Sequence, residues 1–96
     1  MDIRRGREIH KWHKQQLGHL HRQLSKNKEK IEETKKDREE TDERDQRKEK
    51  FLRELEEAYH REREQIINEI RRHERAVRAI NQLEFERKHS KNDGQR

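Results

Sequence analysis

The sequence predicts an all-α protein: a long antiparallel coiled coil of continuous helices pairing between chains, with a two-helix hairpin that further oligomerises as the alternative. Three observations lead there. Of 96 residues, 51% are charged and 23% hydrophobic, too little apolar material for a globular core, so the apolar residues must be buried against another helix. Proline is absent, and no glycine falls between Gly18 and Gly94. Nothing of the helix-breaking kind therefore interrupts about 75 positions. Finally, the apolar residues keep a seven-residue register. With position a at Ile3, steps of seven reach His10, Leu17, Leu24, Ile31, Arg38, Asp45, Leu52, Tyr59, Ile66, His73 and Ile80. Eight of these twelve are apolar if Tyr59 is counted, where composition would supply about three by chance.

Residues 1–28 read as a basic helical segment, with eight Lys/Arg against two Asp/Glu. Gly6 and Gly18 make it the stretch most prone to fray or bend. Residues 29–50 read as a charged helical spacer or a turn. Pairs such as Glu32/Lys36, Glu40/Arg44 and Glu43/Arg47 place the acid four residues before the base, each worth a few tenths of a kcal/mol on an exposed helix. Thr41 or Asp42 offers a cap for a second helix if the chain turns here. The heptad phase survives this charged centre, and a turn would carry neither Gly nor Pro, so one straight helix on the order of 130 Å is favoured.

Residues 51–86 form the main apolar coiled-coil segment. The oligomer seam is read as Leu17, Leu20, Leu24, Ile31, Phe51, Leu52, Leu55, Tyr59, Ile66, Ile70, Val77, Ile80 and Leu83. It occupies a and d positions, widened after residue 50 by neighbouring e and g positions. Residues 87–96, RKHSKNDGQR, lose the pattern and read as a disordered tail.

Charge decides strand direction. In a parallel in-register dimer, Lys30 at g would meet Lys35 at e, and Asp37 would meet Asp42, both repulsive. An antiparallel arrangement about a pivot near residue 42 sets Lys35 opposite Glu49 and Lys28 opposite Glu56, both attractive. Antiparallel pairing follows.

Cysteine is absent, which removes disulfides, thiolate metal sites and thiol nucleophiles. The longest apolar run is two residues, so no membrane span or signal-peptide core is expected, and the setting is read as intracellular, cytoplasmic or nuclear. No glycine-rich phosphate loop or catalytic triad is present, and a helical rod offers no concave pocket. No catalytic residue and no cofactor is therefore expected. His10 and His13 share a helical face at i, i+3 but supply two ligands only, so no metal is expected either. Histidines at seam positions make assembly sensitive to pH below about 6.5.

The net charge of +5 is unevenly spread, with two basic ends flanking an acidic middle. The basic end points to RNA or DNA, whose phosphates release counterions when Lys/Arg neutralise them. Candidate contacts are Arg4, Arg5, Arg7, Lys11 and Lys14, with Trp12 placed to stack on an unpaired base. The expected function is a non-enzymatic, self-associating scaffold with itself and a nucleic acid as partners. The alternative is a protein-only adaptor or inhibitor that takes an acidic or helical protein partner.

Two short resemblances accompany this reading. Arg5-Gly6-Arg7-Glu8, then Trp12, then Leu17, Leu20, Arg22, Leu24, Lys26, Lys28, Lys30 and Ile31 resemble the amino-terminal coiled coil of the delta antigens, oligomerising RNA-binding proteins of hepatitis delta-like viruses. That resemblance implies an oligomerisation domain of an RNA-binding protein. It covers about a quarter of the chain, needs a gap before Leu17, and lacks the proline and tryptophan that follow the family's first helix. Glu69-Ile70, Arg72-His73, Val77, Ile80 and Gln82 are similar to the coiled coil of the mitochondrial ATPase inhibitor, without that family's inhibitory segment. Heptads and charge are common to both, and membership of neither family is claimed.

Overall fold

In a computed structural model that describes residues 3–93, with side chains described for residues 5–88, the chain makes two long helices joined by five residues. Helix α1 spans Ile3–Glu40 and helix α2 spans Gln46–Asp93. They lie side by side as an extended helical hairpin 79 Å long and 18 × 16 Å across. Contacts run in reverse order along the two helices. His13 meets His73, Asn27 meets Tyr59, and Arg38 meets Glu56. Among the described residues no helix is long and apolar enough to cross a membrane.

The straight continuous helix expected from the sequence is thus corrected: the chain turns at residues 41–45. The reason lies in short polar side chains that satisfy helix ends. Thr41 Oγ1 donates back to the Asp37 carbonyl at 2.6 Å, and the Thr41 amide reaches the Arg38 carbonyl at 3.3 Å. Asp42 Oδ1 accepts the Arg44 amide at 3.1 Å while its carbonyl accepts the Asp45 amide at 2.9 Å. Asp45, rather than Thr41 or Asp42, then caps α2, its Oδ1 accepting the Lys48 amide at 3.2 Å. These are local alternatives to the helical ladder that Asp and Thr offer and most residues do not. No described residue needs a positive φ, so the turn forms without glycine.

Eight described residues are buried, and six of them are a or d positions of the sequence register: Leu20, Asn27, Ile31, Thr34, Leu52 and Ile66. The other two, Glu56 and Ile70, are e positions. Leu20, Ile66 and Ile70 form the core cluster, with Leu17 and Leu24 packed against it. Two polar residues sit in the same interface. Thr34 Oγ1 donates to the Lys30 carbonyl at 2.7 Å, within its own helix. Asn27, 1% exposed, donates from Nδ2 to the Tyr59 carbonyl at 2.9 Å, while its Oδ1 is buried without a partner. A buried amide of this kind costs stability and rewards one register, because sliding the helices would take the Tyr59 carbonyl from Nδ2 and leave that donor unpaired as well.

Beyond Arg87 the helix continues to Asp93, through part of the stretch read from the sequence as a tail; no Gly or Pro intervenes before Gly94. Residues 94–96 lie outside the described residues. At the other end, a Cβ built on Gly18 would meet nothing within 4 Å. Gly18→Ala is therefore expected to stabilise the hairpin by about 1 kcal/mol through helix propensity alone, read as a raised denaturant midpoint. A lowered midpoint would mean that α1 is not a regular helix at that position.

Candidate functional site

The seam residues divide by burial. Leu20, Ile31, Leu52, Ile66 and Ile70 are buried between α1 and α2 within one chain. Leu17, Leu24, Leu55, Tyr59, Val77 and Ile80 are half-buried. Phe51 and Leu83 are each 62% exposed. Much of the stripe is thus occupied internally, while its two extremities face solvent. Phe85, which lies off the a/d register, is equally exposed.

Among the candidate nucleic-acid contacts, Arg5, Arg7, Lys11 and Lys14 are all exposed on α1. The side chain of Arg4 lies outside the described residues. Trp12 is 51% exposed. Folding back sets this segment beside the arginine-rich part of α2, where Arg71, Arg72, Arg75 and Arg78 follow one another closely. Residues 5–14 and 71–88 together carry ten Lys/Arg and four Asp/Glu, whereas residues 32–57 around the turn carry eight and twelve. Two basic ends and an acidic middle in the sequence become a basic open end and an acidic turn end in space. The antiparallel pivot near residue 42 expected from the charges already implies this juxtaposition; the sequence leaves open whether one chain or two would make it.

A cluster of rings marks the open end. His13 Nδ1 and His73 Nδ1 are 2.8 Å apart. Trp12 packs edge-on to both rings, with centroids at 4.8 Å from His13 and 5.5 Å from His73. One turn earlier, His10 Nε2 is buried without a hydrogen-bond partner. The His13 pKa is pushed down, first by burial and then by the positive charge that His73 and His10 would carry. Among the described residues, no group of three or more His, Cys, Asp or Glu is arranged to hold a metal ion.

Near the turn the chemistry is ionic. Arg38 Nη1 donates to Glu56 Oε2, whose side chain is only 12% exposed. Glu56 Oε1 also lies 3.6 Å from His60 Nε2. The Arg38 hydrogen bond is the main reason that the Glu56 pKa is lowered; burial opposes it, and the Arg38, His60 and Lys35 interactions add to the lowering. Lys35, Arg38, Glu39, Glu49 and Glu56 line an open cleft of about 390 Å³ here. These charges largely satisfy one another. Lys30 Nζ sits 5.6 Å from the Tyr59 ring centroid, a cation–π contact worth on the order of 0.5–1 kcal/mol at an exposed site.

Comparison with known proteins finds no matching family, no matching curated protein and no matching solved structure.

Proposed function

We propose that this chain is a non-enzymatic assembly module: an antiparallel coiled-coil hairpin that associates with further copies of itself and holds RNA or DNA at its basic open end. The observation that carries this reading is the joining of the two basic stretches. Exposed Arg5, Arg7, Lys11 and Lys14 on α1 lie along the arginine-rich stretch of α2, with a half-exposed Trp12 between them. Each phosphate neutralised there releases counterions, and assembly multiplies the contacts. Self-association is supported by the thinness of the internal core, five buried apolar side chains among the described residues, and by the exposure of Phe51 and Leu83. A cytoplasmic or nuclear setting is the one that such a partner implies.

The test is retention on immobilised RNA and DNA as salt is raised. Changing Arg4, Arg5, Arg7, Lys11 and Lys14 together to Gln is expected to reduce the log–log salt slope by about four. Retention at moderate salt falls with it. Unaltered retention would remove the nucleic-acid reading. A second reading, a protein-only adaptor or inhibitor receiving a partner helix, is favoured by Leu83, which lies at a d position near the end of the seam and is open to solvent. Recovery of a stoichiometric protein partner free of nucleic acid would select it.

A further inference from the structure

We infer that His13 and His73 form an acid-released latch, holding the open end of the hairpin together near neutral pH and letting it separate on acidification. The inference stands apart from the nucleic-acid reading. Two Nδ1 atoms 2.8 Å apart make a hydrogen bond only if one ring donates and the other offers a lone pair, so at least one imidazole must be unprotonated at that nitrogen. When both rings are imidazolium, two N–H groups and two positive charges face each other across the helix interface. The contact then turns from attractive to repulsive.

The surroundings do not offset that repulsion. On α1, His10 lies one turn away with Nε2 already lacking a partner, and Lys11 and Lys14 flank His13. On α2, Arg72 and Glu74 flank His73 and Glu69 lies one turn before it; Glu74 pairs with Arg78, its Oε2 4.0 Å from Nη2. Among the described residues no carboxylate makes an ion pair with His10, His13 or His73, in contrast to His60, which has Glu56. Trp12 lies against both rings and limits their access to water.

Among the described residues the buried apolar side chains stop at Leu20 on α1 and Ile70 on α2, with Leu17 packed against them. Further out, the described apolar side chains that are half-buried are Ile9, Ala76, Val77 and Ile80. The sign follows from His13, whose pKa is depressed below the ordinary value of 6.5 by burial and by its two neighbours. The unfolded chain therefore binds the proton more readily than the folded one. The latch is fully present above about pH 6.5 and is lost as pH falls from there through the depressed folded value.

The chain has no cysteine, so spin labels can be placed at will. Labels on Arg7→Cys with Gln82→Cys report the open end, and labels on Lys36→Cys with Lys50→Cys report the turn end; all four positions are exposed. Pulsed electron paramagnetic resonance is run at pH 7.5 and pH 5.0 in chelator, with labelled chains diluted into unlabelled ones. The expected result is a longer and broader distance distribution at the open end at pH 5.0, and no change at the turn end. In the His13→Gln/His73→Gln variant the pH response disappears. An open-end distribution that is the same at both pH values, or a response that survives in that variant, would overturn the latch. Should the double variant fail to fold, ring-proton titration of the wild-type chain decides. His13 titrating below the ordinary imidazole value supports the latch, and titration at or above that value refutes it.

Discussion

Replacing Ile66 by aspartate is expected to abolish the hairpin as a folded species: at 25 °C and micromolar concentration, most of the helical circular-dichroism signal is lost. Ile66 is 7% exposed and packs with Leu20 and Ile70, which, with Leu17 and Leu24 against them, make the only core cluster among the described residues. The substitution removes a buried branched side chain, worth about 2–3 kcal/mol. It also asks a carboxylate to enter that cluster unpaired, which costs several kcal/mol more. A domain of this size has roughly 5–10 kcal/mol to lose. Most helical stability in proteins comes from packing of the apolar face rather than from propensity, so loss of the cluster takes much of the helix with it. Ile80→Asp provides the contrast. Ile80 is half-buried near the open end, where the carboxylate keeps water, and the cost is expected to be about 1 kcal/mol. Equal effects at the two positions would show that the core is not centred where Leu20, Ile66 and Ile70 meet.

The second large effect is asymmetric. Arg38→Ala is expected to destabilise the hairpin by about 3 kcal/mol, and Glu56→Ala by about 1 kcal/mol. The two partners share one ion pair but differ in access to water: the Glu56 side chain is 12% exposed and that of Arg38 32%. Without Arg38, the Glu56 carboxylate is left in the interface with the lesser His60 and Lys35 interactions; without Glu56, the longer guanidinium turns outward. The same pair sets an acid limit. The Glu56 pKa lies below its ordinary value of 4.5, chiefly through the Arg38 hydrogen bond. Its contribution is therefore present above about pH 4.5 and is lost as pH falls through the depressed folded value. Chemical denaturation of both variants between pH 7 and pH 3 measures this. If Glu56→Ala proved the more damaging, the assignment of Glu56 as the desolvated partner would be wrong.

Particular residues show what the sequence disclosed. The seven-residue register found Ile31, Leu52 and Ile66 at a and Leu20 at d, and all four are buried. The d row looked weak because Asn27 and Thr34 occupy it, yet these two are buried as well, satisfied in part by backbone carbonyls that no pattern of hydrophobicity registers. Ile70 was legible as a widening of the seam. Glu56, buried at the neighbouring e position, was legible only as a charge facing a base, and the Arg that holds it came from an a position, Arg38.

The turn was hidden for a different reason. Helix ends are usually announced by Gly or Pro and by acids at the start and bases at the finish. Here Asp37, Glu39 and Glu40 outnumber Arg38 in the last turn of α1, and Arg47 and Lys48 outnumber Glu49 in the first turn of α2, a balance opposite to what the helix dipole prefers. Only the side chains of Thr41, Asp42 and Asp45 give the ending away, and each of them is also compatible with an exposed helix. The site followed from the turn. His13 and His73 were both readable as seam residues, but their meeting across 60 positions depends on where the chain reverses.

Because the two long arms are covalently joined at one extremity only, the molecule has the mechanics of a pair of tweezers. Trp12 lies about 45 Å from the pivot at 1.5 Å per residue. A tilt of about 5° at Asp45 would move the jaws apart by roughly 4 Å, more than the reach of a single hydrogen bond. Small torsions in five linking residues are thereby magnified at the far tip, and the grip there is set as much by the stiffness of the hinge as by anything the tips themselves touch.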